Sequence, residues 1–223
     1  MTTETTTLSP QPEVFTDTTC WCRDFRGNAY SFEQSLVLIR KFHGHLAPGL
    51  VIGTRMVTMA VAHLPPKILF DAVCETDSCL PDAVQMLTPC TIGNGWLRIR
   101  DLGRYAVTLY DKSEGSGVRV FIDSTGLHRW PVFHGWFYKT QSKTDQNFDQ
   151  LINEIHRAGR EVMGVSAVRI KPDYLGHRSK GRIATCPSCR EAYPAAHGSP
   201  CRGCQGEAPC EPGAVALNAG QPR

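Results

Sequence analysis

Residues 41 to 56 read KFHGHLAPGLVIGTRM, so His43 and His45 flank a single glycine where an apolar run begins. Histidine is a common metal ligand, and it also suits a helix C-terminus, where the dipole favours a cation. The stretch SCLPDAVQMLTPC adds Cys79 near its start and Cys90 at its end. Ser78 suits a helix cap, Pro81 and Asp82 suit a first turn, and Pro89 stops the helix. Backbone N–H groups at a helix N-terminus favour the thiolate, so Cys79 is expected to be anionic. Imidazole plus thiolate is a donor set that zinc and other late first-row metals accept. His43, His45 and Cys79 are therefore expected to converge on one ion, their donor atoms within about 4 Å of one another. Gly44 permits the bend that aims both imidazoles inward, and Cys90, Asp82 or water would complete the sphere. Asp82 and Gln85, one turn apart, could hydrogen-bond an imidazole from behind and fix its tautomer. They could equally be a capping carboxylate and a surface amide.

A second constellation lies near the C-terminus. CPSCREAYPAAHGSPCRGC holds Cys186-x-x-Cys189, eleven residues, then Cys201-x-x-Cys204. Two such pairs supply four thiolates for a tetrahedral structural zinc. The Pro/Gly-rich segment between them cannot bury a core and must draw its stability from the ion. Cys210 and His197 are spare donors. The chain has 10 cysteines, but its start, MTTETTTLSPQPE, lacks the basic and apolar regions of an export signal. Metal is thus favoured over disulfides, and a cytoplasmic location is expected.

The elements that must position these residues follow from periodicity. Phe32, Leu36, Ile39 and His43 step at helical spacing and end at Gly44. Pro48 can open a new helix, apolar on nearly every face to Leu64 and so expected to be buried. Its Gly49, Gly53 and Ala60 form a small-residue stripe open to close approach by another backbone. PPKILFDAVCET, WLRIRD, RYAVTLYD, VRVFID and VSAVRI read as strands. Phe148, Leu151, Ile152, Ile155 and Val162 mark a further amphipathic helix. The expected organisation is a disordered leader (1–15), a main domain (16–176), a basic linker with the four-cysteine module (177–210), and a disordered tail (211–223).

FHGHLAPGLVIGTRM, ETDSCLPDAVQMLTPCTIGNGWLRIRDLGRYAVTLYD and the four-cysteine ribbon together resemble the FmdE family of formylmethanofuran dehydrogenase subunits over about residues 31–205. The resemblance implies an α+β fold, a mixed sheet with helices packed on it plus a small zinc ribbon. It also implies a metal near the His and Cys motifs and a link to molybdenum or tungsten oxidoreductases. The family motif commonly reads His-Gly-His-x-Cys-Pro-Gly, whereas Ala47 stands here at the cysteine position. Pro89 replaces a usual glycine and Asn94 a usual lysine. Loss of a thiol at 47 weakens any mechanism that uses that sulfur.

Three functional readings follow. The first is a metal-binding accessory protein for a molybdenum or tungsten oxidoreductase or its maturation machinery, with a structural zinc in the ribbon. A second transition metal, zinc by preference, would sit at His43, His45, Cys79 and Cys90. The second reading is a metal-dependent enzyme acting on a small or sulfur-containing substrate. The third is a ribbon-led nucleic-acid- or protein-binding module. Net charge of +3 gives little support to a polyanion partner, and no apolar stretch reaches membrane-span length. A homodimer is possible through Trp130, Phe133, Trp136, Phe137 and Tyr138, which equally suit core packing. Arg55, in an apolar helix, calls for an internal salt bridge. Cys20 and Cys22 read as incidental, Cys74 as a packed small hydrophobe, and Gly93-Asn94-Gly95 as a turn.

Overall fold

The computed structural model describes residues 20–140, 142, 144–176, 179 and 181–210. The expected leader, the expected tail and the connector residues His177, Arg178 and Lys180 lie outside them. The chain divides into two compact units, meeting in sequence between Gly176 and His177.

In the first unit a short hairpin, β1 (Cys22–Arg23) and β2 (Ala29–Tyr30), leads into α1 (Phe32–His43). Ser31 starts α1 with a reciprocal capping box to Gln34, which satisfies two of the helix's orphan N–H groups. Gly44 stops it at φ 85°, a left-handed conformation that glycine adopts without strain. Pro48 then opens α2 (Pro48–Ala62). As the all-round apolar pattern requires, Leu50, Val51, Ile52, Met56, Val57 and Ala60 are wholly buried. Each large one contributes roughly 1.5–3 kcal/mol by leaving water.

The sheet that α2 helps to cover has five strands in the order β4 (Leu97–Ile99), β3 (Phe70–Cys74), β5 (Ala106–Asp111), β6 (Ser116–Ile122) and β7 (Met163–Arg169). Only β3–β4 is parallel, the crossover being α3 (Leu80–Leu87); the other pairs are antiparallel. This is the mixed, α+β architecture. The short helices α4 (Ser124–Leu127) and α5 (Pro131–Phe137) precede α6 (Phe148–Ala158). That last helix ends earlier than its apolar spacing suggested, because Gly159 caps it and Val162 is buried just before β7.

The small-residue stripe of α2 faces α3. A Cβ on Gly53 would lie 3.1 Å from Ala83 Cβ and 3.3 Å from Leu80 Cδ1, so the glycine sets the helix separation. Glu75, just past β3, is buried and holds Arg119 through both carboxylate oxygens, at 2.7 and 2.8 Å, and Arg104 at 2.7 Å. This cluster fastens the loop that leads to Cys79.

Trp21 and Cys22 are buried, and Trp21 Nε1 donates to Thr54 Oγ1 at 3.0 Å. Arg55 donates to the carbonyls of Cys20 and Trp21, at 3.0 and 2.8 Å, clamping that segment onto α2. Three expectations hold. Cys74 is wholly buried, Asn94 accepts N–H bonds from Thr91 and Trp96 to close its turn, and Phe133 is fully inside the core. No single described helix is long and apolar enough to cross a membrane.

The second unit carries the hairpin β8 (Ile183–Thr185) and β9 (Ala192–Pro194).

Candidate metal centres

The second unit has the simpler centre. Cys186 follows β8, Cys189 lies in the turn of the hairpin, and Cys201 and Cys204 return from the following loop. Their four sulfurs lie within 4.8 Å of one another. Cys186 and Cys204 are 3.8 Å apart, and Cys189 and Cys201 are 3.7 Å apart. Zinc–sulfur bonds of about 2.3 Å at tetrahedral angles set an S–S spacing of about 3.8 Å, so the quartet fits that ion. N–H groups of Cys201 and Cys189 pull the Cys186 thiol down to about 6, while contact with Cys201 and Cys189 pushes Cys204 up to about 12. Crowded thiols oppose one another's ionisation, and a dication removes that conflict. His197 and Cys210 stand outside the quartet.

The first unit's site is built at a corner. The chain bends by 113° from α1 to α2, and His43 and His45 stand at the bend. Their ring centres are 4.5 Å apart. Metal–nitrogen bonds of about 2.0–2.1 Å put a ring centre roughly 3.2 Å from the ion, so two imidazoles at the tetrahedral angle on one zinc would be about 5.2 Å apart, and the rings here are packed closer than that. His43 Nδ1 lies 2.7 Å from Asp82 Oδ2 on α3. With the carboxylate accepting from Nδ1–H, Nε2 is the lone-pair nitrogen left for a ligand. Gln85 Nε2 reaches Asp82 Oδ1 at 3.5 Å, and Gln85 Oε1 accepts the Ile92 N–H at 3.3 Å. Asp82 and Gln85 thus form a chain behind the imidazole.

Cys79 stands beside this chain in a strained turn. Its φ of 52° and ψ of −45°, with Leu80 N–H bonded to Ser78 C=O, make it the centre of a γ-turn of the rare hand. For a residue with a Cβ such a conformation costs about 1–3 kcal/mol and must be imposed by its surroundings. They are specific. A Cβ on Gly49 would meet Cys79 Sγ at 3.1 Å and the Tyr105 hydroxyl at 3.0 Å. Tyr105 donates to Gly49 C=O at 2.7 Å. Helix α2 has no side-chain cap at Ala47, and the Leu50 N–H in its first turn points to the Cys79 sulfur. The thiol occupies the place that a capping oxygen usually takes.

The expectation that Cys79 is anionic is corrected. Burial pushes its thiol above the ordinary value and Asp82 adds to this, against an opposing pull from the Leu50 N–H. Desolvation outweighs the helix ends, so a bound cation would have to draw off the proton.

Convergence is looser than expected. Among the described residues, only the four-cysteine quartet has three or more ligand atoms all within 4.8 Å. His43 and Cys79 share Asp82 as a neighbour, and His45 lies against His43, without the three forming so tight a set. Cys90 is not brought here. It lies beyond the far end of the eight-residue α3 from Cys79, a separation of roughly 12 Å along the axis. Its thiol is buried against Phe70 C=O and pushed up to about 11 by that burial. Tyr105 and the Leu50 N–H were missed by sequence reasoning, and the Gly49–Gly53 stripe was the only signal that could have pointed to them.

Known proteins share both centres' frameworks. Residues 42–170 match the family model described as FmdE, molybdenum formylmethanofuran dehydrogenase operon. Residues 177–211 match the FmdE treble clef zinc finger, which refines the expected ribbon. The crystal structure of a tungsten formylmethanofuran dehydrogenase FmdE-like protein from Syntrophus aciditrophicus is 47% identical, with a TM-score of 0.75. That likeness covers 85% of this chain and 99% of the other. A probable S-adenosyl-L-methionine-binding protein of Archaeoglobus fulgidus is 33% identical over 105 residues, 43% of this chain. The match spans 28% of that relative's length. A mixed-sheet domain with the His-Gly-His turn, a four-sulfur module fitted to zinc, and both family matches lead to one statement: the chain belongs to the FmdE family and carries its treble clef zinc finger.

Proposed function

We propose that this protein is a cytoplasmic, metal-binding accessory subunit of a formylmethanofuran dehydrogenase-type molybdenum or tungsten oxidoreductase. In this reading the treble clef zinc is structural. A second transition ion, zinc by preference, is held by His43 and His45 with Cys79 as the sulfur donor. Asp82 orients His43 and Gln85 orients Asp82.

The observation that carries this reading is the His43–Asp82 contact at 2.7 Å beside a second imidazole at 4.5 Å. A carboxylate behind an imidazole is the usual support of a ligating histidine. An ion there would act as a Lewis acid and would deprotonate the thiol. The chain's own part is to fix one imidazole, hold the sulfur against the start of α2, and leave His45 exposed to complete the sphere.

A second reading, a metal-dependent enzyme for a small or sulfur-containing substrate, is favoured by the strain at Cys79. Strained backbone is concentrated at sites that use it.

Association is tested by isolating the tagged full chain from its native cells under mild conditions. The accessory reading expects subunits of a molybdenum or tungsten oxidoreductase to co-purify, and to be lost with His45→Ala. If the purified chain alone turns over a small sulfur substrate and no such enzyme accompanies it, the second reading replaces the first.

A further inference from the structure

A second pair of imidazoles lies away from the site described above. His128 caps the end of α4 and His134 sits in the middle of α5, with ring centres 5.2 Å apart and planes inclined by 32°. Two imidazoles on one zinc at the tetrahedral angle, with bonds of about 2.0–2.1 Å, have centres about 5.2 Å apart, the separation found here. Both frames are held. Glu154, buried on α6, accepts the Val132 and Phe133 N–H groups at 2.9 Å each and so fixes the first turn of α5. Leu127, next to His128, is fully buried, and a Cβ on Gly126 would lie 2.6 Å from Glu161 C=O, so α4 is pressed onto the chain before β7. Tyr138, one turn after His134, packs its ring 4.6 Å from that imidazole and limits its rotation. His128 is exposed and His134 half-buried, which gives an ion access from solvent.

The geometry points to a bis-histidine site on the α4–α5 face, formed by His128 and His134, that chelates a borderline divalent cation of the zinc class. Two imidazoles supply half a tetrahedral sphere. The other two positions belong to water or to a donor from a bound molecule. Hard cations such as magnesium are excluded by the nitrogen donors. The ion would exchange with solvent, unlike the four-sulfur zinc, because half its shell is open and no thiolate contributes.

The test uses the full chain with its treble clef filled with zinc, in a His45→Ala background so that the α1–α2 corner does not compete. Imidazole proton–nitrogen correlations are followed while Zn²⁺ is added. His128 and His134 should shift together and saturate at one added equivalent. In His134→Asn, the response of His128 should need at least about tenfold more Zn²⁺, since a chelate has become a single ligand. The reciprocal variant, His128→Asn, lies at an exposed helix end and keeps the test decisive if the first variant is unfolded. It should weaken the response of His134 by the same factor. A histidine response unchanged by loss of its neighbour, or two responses that saturate at different Zn²⁺ concentrations, would overturn the proposal.

Discussion

The four-cysteine centre and the His43–His45 corner are built in opposite ways. In the treble clef the donors themselves make the fold: four sulfurs within 4.8 Å, two short hairpin strands, and little core. At the corner the fold comes first. Its donors hang from the ends of α1 and α3, and α2, buried on nearly every face, would keep its place with no ion present. Ligand spacing in sequence therefore reports a centre well only where the metal does the folding. Where a core does the folding, ligand positions are set by helix packing.

The largest effect should come from Cys186→Ser with Cys189→Ser. One zinc equivalent should vanish and the second unit should unfold, since structural zinc in such modules contributes about 10–16 kcal/mol. The melting transition of the first unit should stay nearly unchanged by calorimetry. A large fall in that transition would mean the two units are not independent.

Glu75→Gln should cost the first unit about 1.5–3 kcal/mol by urea unfolding, through loss of charged hydrogen bonds to Arg119 and Arg104. The same cluster fixes a pH response. Hydrogen bonding to Arg119 holds the Glu75 carboxyl below its ordinary range, despite partial burial. Its contribution is therefore fully present above the ordinary glutamate value and is lost as pH falls through the lowered one. Wild type should lose stability in acid over that window more steeply than Glu75→Gln. Parallel pH curves would contradict the assignment.

Gly49→Ala separates packing from ligation. Its new Cβ, 3.1 Å from the Cys79 sulfur and 3.0 Å from the Tyr105 hydroxyl, must push one of them aside. A cost of about 1–3 kcal/mol is expected, together with faster alkylation of Cys79. Unchanged thiol reactivity would show that the glycine does not shape the sulfur's cradle. Asp82→Asn should have the smallest effect on stability. It should weaken metal binding at the corner about 10–100-fold, as loss of a ligand's hydrogen-bond partner does, and leave the treble clef zinc in place.

Much of this was legible in the residues. The all-round apolar run of α2, the Ser31 cap, Gly44 and Pro48 each declare a local conformation, and the strands alternate or run apolar as buried strands do. The quartet Cys186, Cys189, Cys201 and Cys204 could be read from spacing alone. The status of Cys79 could not. Its charge is decided by burial against α2, and its γ-turn by Gly49 and Tyr105, residues 30 and 26 positions away in sequence. Cys90 was grouped with Cys79 because a short helix brings them close in sequence, yet that helix is what holds them apart. The partners of Arg55 and Trp21 include backbone carbonyls and a threonine hydroxyl that no motif announces.

The proposed role of the corner rests on an ion held by His43, His45 and Cys79. Its decisive check is tightly bound metal per chain, measured by elemental analysis on protein purified without chelators and desalted to remove exchangeable ions. Wild type should retain two equivalents, and His45→Ala should retain one, with the sulfur-to-metal charge-transfer signature of the treble clef intact after cobalt substitution. A single equivalent in wild type, or a count unchanged by His45→Ala, would leave His43 and His45 as residues that only finish a helix.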